Sequence, residues 1–514
     1  MTEADFRLIA DLIREHARAR PEHPAIVQDA GESLSYAALD ALMDRIAAAL
    51  QRDGVRPGDA VAVAGMSTPM QGALFLGALR AGAVVAPLAA SVTPASFAGM
   101  RADAQARLLF VDESAAALAP PEVRTIRIDT GELDAWLAPP GAQPEPVSPA
   151  PGDAFNIIYS SGTTGTPKGI VQPHGMRWTH VARGARYGYG PDSRALLATP
   201  LYSNTTLVVF FPVLAFGGTV VLMPRFDAGG YLALAQSQRI THTMLVPVQY
   251  QRIMARPDFD AHDLGSYLAK FCTSAPFAAA LKADVVKRWP GALVEFYGMT
   301  EGGGTCILDA RANPHKLHTV GQPADGHDIR LIDDEGVELT EPGQTGEVVG
   351  HSAGMMSGYH GQPAKTREAE WFAPDGKRFI RTGDVGRFDA DGFLILSDRK
   401  KDMIISGGFN IYPSDLEALL REHPAVADVA VVGVPSEAWG ETPVAYVVRK
   451  SGHSGHEETT DDALRLWLNE RVGKTQRLSE LRSIDELPRS AIGKVLKREL
   501  RDRHAAAPPG APGA

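Results

Sequence analysis

The chain has 514 residues against the ~100–200 of a typical domain, which excludes a single core and predicts two or three domains. Hydrophobic residues at 44% and charged residues at 22% exclude a disordered or collagen-like chain. Lysine and arginine number 51 against 61 acids, so a net charge of −10 leaves no sequence-wide electrostatic footprint for nucleic acid. The opening MTEADFRLIADLIREHARAR carries acids early and lacks the apolar stretch of a signal peptide. SYAALDALMDRIAAALQRDGV then reads as an amphipathic helix with Ser35 as its cap. AVAVAG reads as a buried strand, MQGALFLGALRAG as a helix, and VVAPLA and ARLLFVD as further short strands. Two stretches without charge, Ala60 to Leu79 and Ala195 to Pro224, are broken by residues such as Gly65, Pro69, Pro200, Asn204, Pro212 and Gly217. Neither therefore sustains the ~20 apolar residues of a membrane span. NIIYSS, VVLMPR, THTMLVP and ALVEFYG repeat the short apolar strand. Such strands between helices predict parallel sheets covered on both faces.

From Ile329 to Asp391 the character changes. IRLIDDEGVEL and GRFDADGFLILSDR place D-E-G and A-D-G turn signals between short strands, which predicts hairpins. After Arg399 a unit of different composition follows. PSDLEALLREHPAV and DDALRLWLNERVG read as helices, VADVAVVGVP and ETPVAYVVRK as strands, with Pro-Ser-Asp as a helix cap. The expected fold class is α/β. A large N-terminal domain of parallel-type sheets with helices spans 1–398, with a barrel-like subdomain at about 329–398, and a small C-terminal α+β domain spans 399–503. The Pro/Gly/Ala tail at 504–514 has nothing to bury and is expected to be disordered. Two cysteines, Cys272 and Cys306, exclude a disulfide framework and a four-cysteine zinc site, and fit a reducing, cytoplasmic location.

The strongest local signal runs from Tyr159 to Ile170. Ser160, Ser161, Thr163, Thr164 and Thr166 supply hydroxyls, Gly162 and Gly165 let backbone N–H groups come close to an oxyanion, and Lys168 adds a point charge. A polyphosphate tail requires that combination. A Walker A loop needs Gly before the lysine and Ser or Thr after it, whereas Pro167 precedes and Gly169 follows, so a P-loop ATPase or kinase is the weaker class. His315 and His318 lie three apart without an evident third ligand, and His174 to His180 shows no metal grouping.

The segment resembles the phosphate-binding signature of the adenylate-forming superfamily, which includes acyl-CoA synthetases, peptide-synthetase adenylation domains and luciferases. Four further segments match in order: Tyr297-Gly-Met-Thr-Glu301, Arg381-Thr-Gly-Asp384, the stretch from Asp398 to Pro413, and Pro488-Arg-Ser-Ala-Ile-Gly-Lys494. The resemblance covers the chain to about residue 503 and implies an AMP-forming acid–thiol ligase. In such an enzyme a carboxylic acid and ATP give acyl-AMP and pyrophosphate, and the CoA thiol then gives acyl-CoA and AMP. It implies that Thr163, Thr164 and Lys168 hold the β- and γ-phosphates, that Glu301 coordinates Mg²⁺, and that Thr300 donates to the α-phosphate. Tyr297 and Ala275 flank the adenine, with Glu295, Phe296 and Gly298 in the same nucleotide segment. Asp384 accepts from the ribose hydroxyls with Arg399 nearby. Lys494 bridges the carboxylate and the α-phosphate. Ser406, Gly407 and Gly408 line a pantetheine tunnel, and Lys401 aligns with the pivot of a mobile C-terminal domain.

Taken singly, Asp384 could be an exposed turn residue, Tyr297 a core aromatic, Lys494 a solvated lysine and the Gly407-Gly408 segment a β-turn; the joint pattern lifts these assignments. For the acyl group the resemblance points to Tyr202, Ser203, Asn204 and Thr273, and to Gly302, Gly303 and Gly304 as a source of pocket volume. The acid expected is fatty or aromatic. The acceptor is CoA or, as the rival reading, a carrier protein. A nucleotide-binding protein without turnover is the other class, and a homodimer is admitted.

Overall fold

The computed structural model describes residues 5–28, 31–120, 123–159, 168–406, 409–450, 460–490 and 493–506. The chain divides into two compact units, Met1–Ile329 with Val349–Arg381, and Arg330–Val348 with Thr382–Ala514.

The first unit carries two large sheets. In the nine-stranded sheet, Ala292–Tyr297, Ala269–Cys272, His242–Leu245, Arg194–Leu197, Thr219–Leu222 and Pro24–Gln28 run parallel in that spatial order. Antiparallel strands Cys306–Asp309 and Ser33–Ser35 flank them. In the seven-stranded sheet, Ala154–Tyr159, Val84–Leu88, Ala60–Ala64, Leu109–Val111 and Thr125–Arg127 run parallel, and Gly169–Pro173 returns antiparallel beside the first of these. Successive side chains point to opposite faces, and both faces are apolar. Val61 and Val63 join one buried cluster, while Ala60, Ala62 and Ala64 join another. Likewise Leu197 and Val220 face one cluster, Leu196 and Val221 the other. Burial on both faces explains why these strands read as continuous apolar runs.

The first cluster collects inward residues of both sheets together with helices Pro69–Arg80 and Asn204–Ala215. These two helices are buried almost all round, the pattern of a core helix rather than an amphipathic one. That is the physical origin of the two uncharged stretches. No helix among the described residues is long and apolar enough to cross a membrane. Ser35 caps helix Tyr36–Arg52 as predicted, its hydroxyl accepting from Ala38 N at 3.2 Å.

In the second unit the expected hairpins form. Leu331 pairs with Leu339, and Gly386 to Phe388 pair with Leu396 to Leu394. A five-stranded sheet follows, built on the long antiparallel pair Val426–Ser436 and Gly440–Arg449. Helices Pro413–Glu422 and Asp461–Asn469 pack Leu416, Leu420, Leu464 and Leu468 against it. The Pro-Ser-Asp cap is not what starts the first of these helices. Tyr412 is the N-cap without a side-chain bond, and Pro413 takes the first helical position, where its missing N–H costs nothing. The last helix, Lys497–Ala506, runs through His504, Ala505 and Ala506 of the tail expected to be disordered, and 507–514 lie outside the described residues.

At two histidines desolvation outweighs the pull of a nearby carboxylate, Asp153 at His174 and Asp325 at His327. Burial lowers His174, packed edge-on to Phe155 at 4.9 Å, to about 4, and lowers His327 to about 4 as well. The folded protein then binds fewer protons at these sites than the unfolded chain between about pH 6.5 and 4, so stability falls as pH drops through that window. The loss for His174 alone is roughly 3 kcal/mol at 1.36 kcal/mol per pH unit. Urea midpoints measured from pH 7 to pH 4 should fall, and His174→Phe should flatten the slope. An unchanged slope in that variant removes His174 from the account.

Candidate active site

Strands Ala154–Tyr159 and Gly169–Pro173 form an antiparallel hairpin pair, with Tyr159 opposite Gly169. The predicted phosphate residues Ser160, Ser161, Gly162, Thr163, Thr164, Gly165 and Thr166 lie outside the described residues. Both roots of that hairpin meet Asp103 on helix Pro94–Ala104. The Tyr159 hydroxyl donates to Asp103 Oδ2 at 2.8 Å, and a Cβ added at Gly169 would stand 2.6 Å from the same oxygen. Burial, reinforced by the Asp103 charge, holds the Tyr159 hydroxyl well above its usual range, so it remains a donor.

Strand Gly358–Tyr359 lies antiparallel on Gly169–Pro173, with Tyr359 opposite Ile170. The Tyr359 hydroxyl donates to Glu301 Oε1 at 2.9 Å, and Lys168 Nζ lies 5.2 Å from the centroid of the same ring. Two residues predicted from separate motifs, Lys168 and Glu301, thus meet at one tyrosine. Glu301 is also held by its backbone, its carbonyl accepting from Met356 N at 2.8 Å. Gly302 and Gly303 adopt φ of +78° and +84°. A Cβ at Gly303 would stand 2.9 Å from Gly350 O, and one at Gly302 would collide with Gly354 O. The bare Cα atoms of these two glycines, expected from sequence to leave pocket volume, admit the 350–355 backbone on their Cβ side. Gly304 is closed off in the same way by Ile329.

Thr300 is placed by a buried polar network. Its carbonyl accepts from Gln172 Nε2 at 2.6 Å, and the same amide reaches Asn204 Oδ1 at 3.3 Å. Gln172 Oε1 accepts from Asn156 Nδ2 at 3.0 Å and from Arg177, whose Nε donates to Asn156 Oδ1 at 2.9 Å. Arg177 is 1% exposed, and burial lowers it to about 9. The network joins the nucleotide motif to the predicted acyl segment, where Ser203 is buried at the start of helix Asn204–Ala215. Thr205 Oγ1 lies 2.7 Å from Ser274 Oγ. Ser274 has φ +83°, a left-handed backbone costing about 1–3 kcal/mol for a residue with a Cβ. Thr273 Oγ1 donates to Phe296 O at 2.8 Å, fixing the turn beside Ala275 to the neighbouring strand. Tyr202 is half-buried, 3.5 Å from Ser91 Oγ.

On strand Ala292–Tyr297 the side chains alternate. Phe296 turns into the core against Phe271 and Tyr187, at 5.6 and 5.8 Å between ring centres. Tyr297 is half-buried, Gly298 is exposed, and Glu295 is buried in an ion pair with Lys282. The Glu295 carboxylate therefore faces Lys282, not an open cleft. Burial pushes it up to about 6, against the pull of the lysine.

In the second unit Asp384 and Arg399 pair across a hairpin at 3.1 Å, and Asp384 N donates to Thr382 Oγ1 at 3.0 Å. Burial lowers Lys401. Ser406 is buried on strand Ile404–Ser406; Gly407 and Gly408 lie outside the described residues. Lys494 is half-buried, and its carbonyl accepts from Ser490 N at 2.8 Å. Cys272 and Cys306 are buried free thiols pushed up by desolvation, an environment that keeps a thiol inert. Asp103, Gln172, Arg177, Ser274 and Tyr359 were not singled out by sequence. Polar residues within otherwise apolar buried strands, such as Asn156 and Gln172, were the available signal.

The model for AMP-binding enzymes matches residues 13–360, and that for the AMP-binding enzyme C-terminal domain matches 415–494. A feruloyl-CoA synthase of an Amycolatopsis species is 37% identical, covering 95% of this chain and 97% of its own. An indoleacetate–CoA ligase of Aromatoleum aromaticum is 34% identical, covering 96% and 97%. A fatty acid–[acyl-carrier-protein] ligase of Streptomyces coeruleorubidus is 32% identical, covering 95% of each. The crystal structure of ATP-bound MatB from Rhodopseudomonas palustris superposes with a TM-score of 0.84 at 28% identity, covering 97% of this chain and 99% of that one.

Proposed function

On the premise that this chain belongs to the AMP-binding enzyme family and is an acid–thiol ligase, we propose that it activates an aromatic carboxylic acid with ATP and transfers it to coenzyme A. The observation that carries the reading is the meeting of Lys168 and Glu301 at Tyr359, on the strand paired with the one that leaves the Ser/Thr/Gly segment. The feruloyl and indoleacetate relatives support an aromatic acid.

A carboxylate is a poor acyl donor because its leaving group would be an oxide. In the first half-reaction its oxygen bonds to the α-phosphorus while the bond to pyrophosphate breaks, giving a mixed anhydride with AMP. In the second, a thiol attacks the acyl carbon and AMP leaves. Both partners of the first step are anions, so the protein's work is neutralisation and alignment. Lys168, with Thr163 and Thr164, holds the β- and γ-phosphates. Thr300 donates to the α-phosphate, Tyr297 and Ala275 take the adenine, and Asp384 with Arg399 takes the ribose. Lys494 neutralises the charge shared by carboxylate and α-phosphate. Ser406, Gly407 and Gly408 take the pantetheine, and Tyr202, Ser203, Asn204 and Thr273 take the acyl group.

Glu301 keeps one carboxylate oxygen beyond the one Tyr359 engages, and no group of three or more His, Cys, Asp or Glu able to hold a metal occurs among the described residues. That donor set fits a hard cation carried chiefly by nucleotide phosphates, as Mg²⁺ is. When bound, the ion offsets phosphate charge.

Carrier-protein loading is the second reading, favoured by the fatty acid–[acyl-carrier-protein] ligase relative. A panel of cinnamic, indoleacetic and decanoic acids, each with ATP and either CoA or a phosphopantetheinylated carrier protein, separates the two. AMP and thioester formation should be at least about tenfold faster with an aromatic acid and CoA, the discrimination of ~1.4 kcal/mol. Faster turnover with decanoic acid and the carrier reverses the assignment. Phosphate release without any acid would mark a simple ATPase.

A further inference from the structure

Of the polar residues outside the motifs, Tyr359 has the most direct connection to the chemistry. It is 9% exposed and fixed on every side. Its N–H donates to Thr366 Oγ1 at 2.9 Å, and its carbonyl accepts from Gln362 N at 3.1 Å. His360 N donates to Gly169 O at 2.7 Å, locking this segment to the residue that follows Lys168. Gln362 Nε2 donates to Asp103 Oδ1 at 3.1 Å, on the carboxylate whose other oxygen takes the Tyr159 hydroxyl. These bonds tie the Tyr359 segment to Gly169 and, through Asp103, to Tyr159.

We propose that Tyr359 is the positioning residue of the phosphate and metal site. Its hydroxyl fixes Glu301 Oε1 at 2.9 Å so that the second oxygen is presented in one orientation, and its ring seats the Lys168 ammonium at 5.2 Å. The proposal rests on the reading that Glu301 holds the cation and Lys168 the phosphates. A carboxylate on a side chain with three rotatable bonds samples many orientations unless a neighbour holds it. A donor on one oxygen selects the rotamer and leaves the other oxygen as the ligand, as hydrogen-bonded second partners do at metal sites generally. The cation–π seat acts separately, through the ring face rather than the hydroxyl.

Two substitutions divide these roles. Tyr359→Phe removes the hydroxyl and keeps the ring; Tyr359→Leu removes both. The full-length protein is titrated with Mn²⁺ in the presence of α,β-methylene-ATP, and free Mn²⁺ is read by electron paramagnetic resonance, with KM for ATP and for the acid measured in parallel. Tyr359→Phe should weaken Mn²⁺ retention about tenfold, the lower end of the effect of such partners, with the KM for the acid unchanged. Tyr359→Leu should in addition weaken binding of the nucleotide analogue measured without metal. Glu301→Gln serves as the control for the underlying reading. If Glu301→Gln loses Mn²⁺ and Tyr359→Phe does not, the proposal is overturned while the reading of Glu301 stands. If Glu301→Gln retains Mn²⁺, that reading fails and the proposal falls with it. Loss of thermal stability in Tyr359→Phe with equal losses in both KM values would make the tyrosine merely structural and also overturn it.

Discussion

Lys494→Ala is expected to lower acid-dependent pyrophosphate release on the order of 10²–10³-fold, the loss seen when one preorganised donor to a developing charge is removed. The first half-reaction brings a carboxylate to a polyphosphate, and their repulsion is part of the barrier. A single ammonium shared by the two lowers that repulsion in the transition state more than in either separate reactant, so the effect falls on turnover rather than on binding alone. The second half-reaction starts from a neutral acyl carbon and releases AMP, and it has no such repulsion to overcome. Acyl-AMP supplied ready-made should therefore be converted to thioester by the variant within several-fold of the wild-type rate. The backbone around Lys494 argues that the substitution stays local. Ser490 N donates to Lys494 O and Lys494 N donates to Ser490 Oγ at 3.2 Å, and Arg489 Nη1 donates to Gly493 O at 2.6 Å. Equal losses in both half-reactions would remove Lys494 from its role in adenylation.

Much of the fold class was legible because a parallel sheet imposes a local signature. Strands such as Ala60–Ala64 and Thr219–Leu222 are apolar on both faces, so the absence of alternation was itself the signal. Hairpin turns were legible from Asp-Glu-Gly and Ala-Asp-Gly because turn geometry is written in a few residues. Candidate site residues were legible only where they stand in contiguous motifs, as Lys168 and Glu301 do. Tyr359 carries no motif. The role proposed for it rests on an antiparallel pairing with Ile170 that joins segments far apart in the chain. The same holds for Asp103, whose position under both roots of one hairpin depends on the helix it sits on. The triple glycine is a related case. A missing Cβ is visible in sequence, but whether the space goes to a substrate or to another backbone is decided by chain segments 50 residues away, here 350–355.

The largest effect on stability is expected from Lys282→Met. Lys282 is 2% exposed on helix Ala279–Arg288, and its ammonium donates to Leu317 O at 2.8 Å and Thr319 O at 3.0 Å besides pairing with Glu295. Removing it leaves a carboxylate without its cation and two carbonyls without their donor, all in the interior. Breaking a buried pair from one side costs about 3–5 kcal/mol, against roughly zero when both partners are replaced by apolar groups of similar size. Lys282→Met should lower the melting temperature by roughly 5–10 °C, at ~2 °C or more per kcal/mol for a large domain. Lys282→Met combined with Glu295→Leu should recover most of the loss. The pH dependence supplies an independent check. Glu295 already sits near 6 with its lysine in place, and losing that positive charge raises it further, because the ion pair is what holds the carboxylate down. The folded single variant then binds a proton that the unfolded chain releases above about pH 4.5, so its deficit relative to wild type should shrink as pH falls from 7 towards 5. Adenylation by the double variant should persist, since the Glu295 carboxylate faces the helix and only the backbone of strand Ala292–Tyr297 leads on to Tyr297 and Thr300. A single variant that melts with wild type at pH 7 would show that the pair does not hold this strand in place.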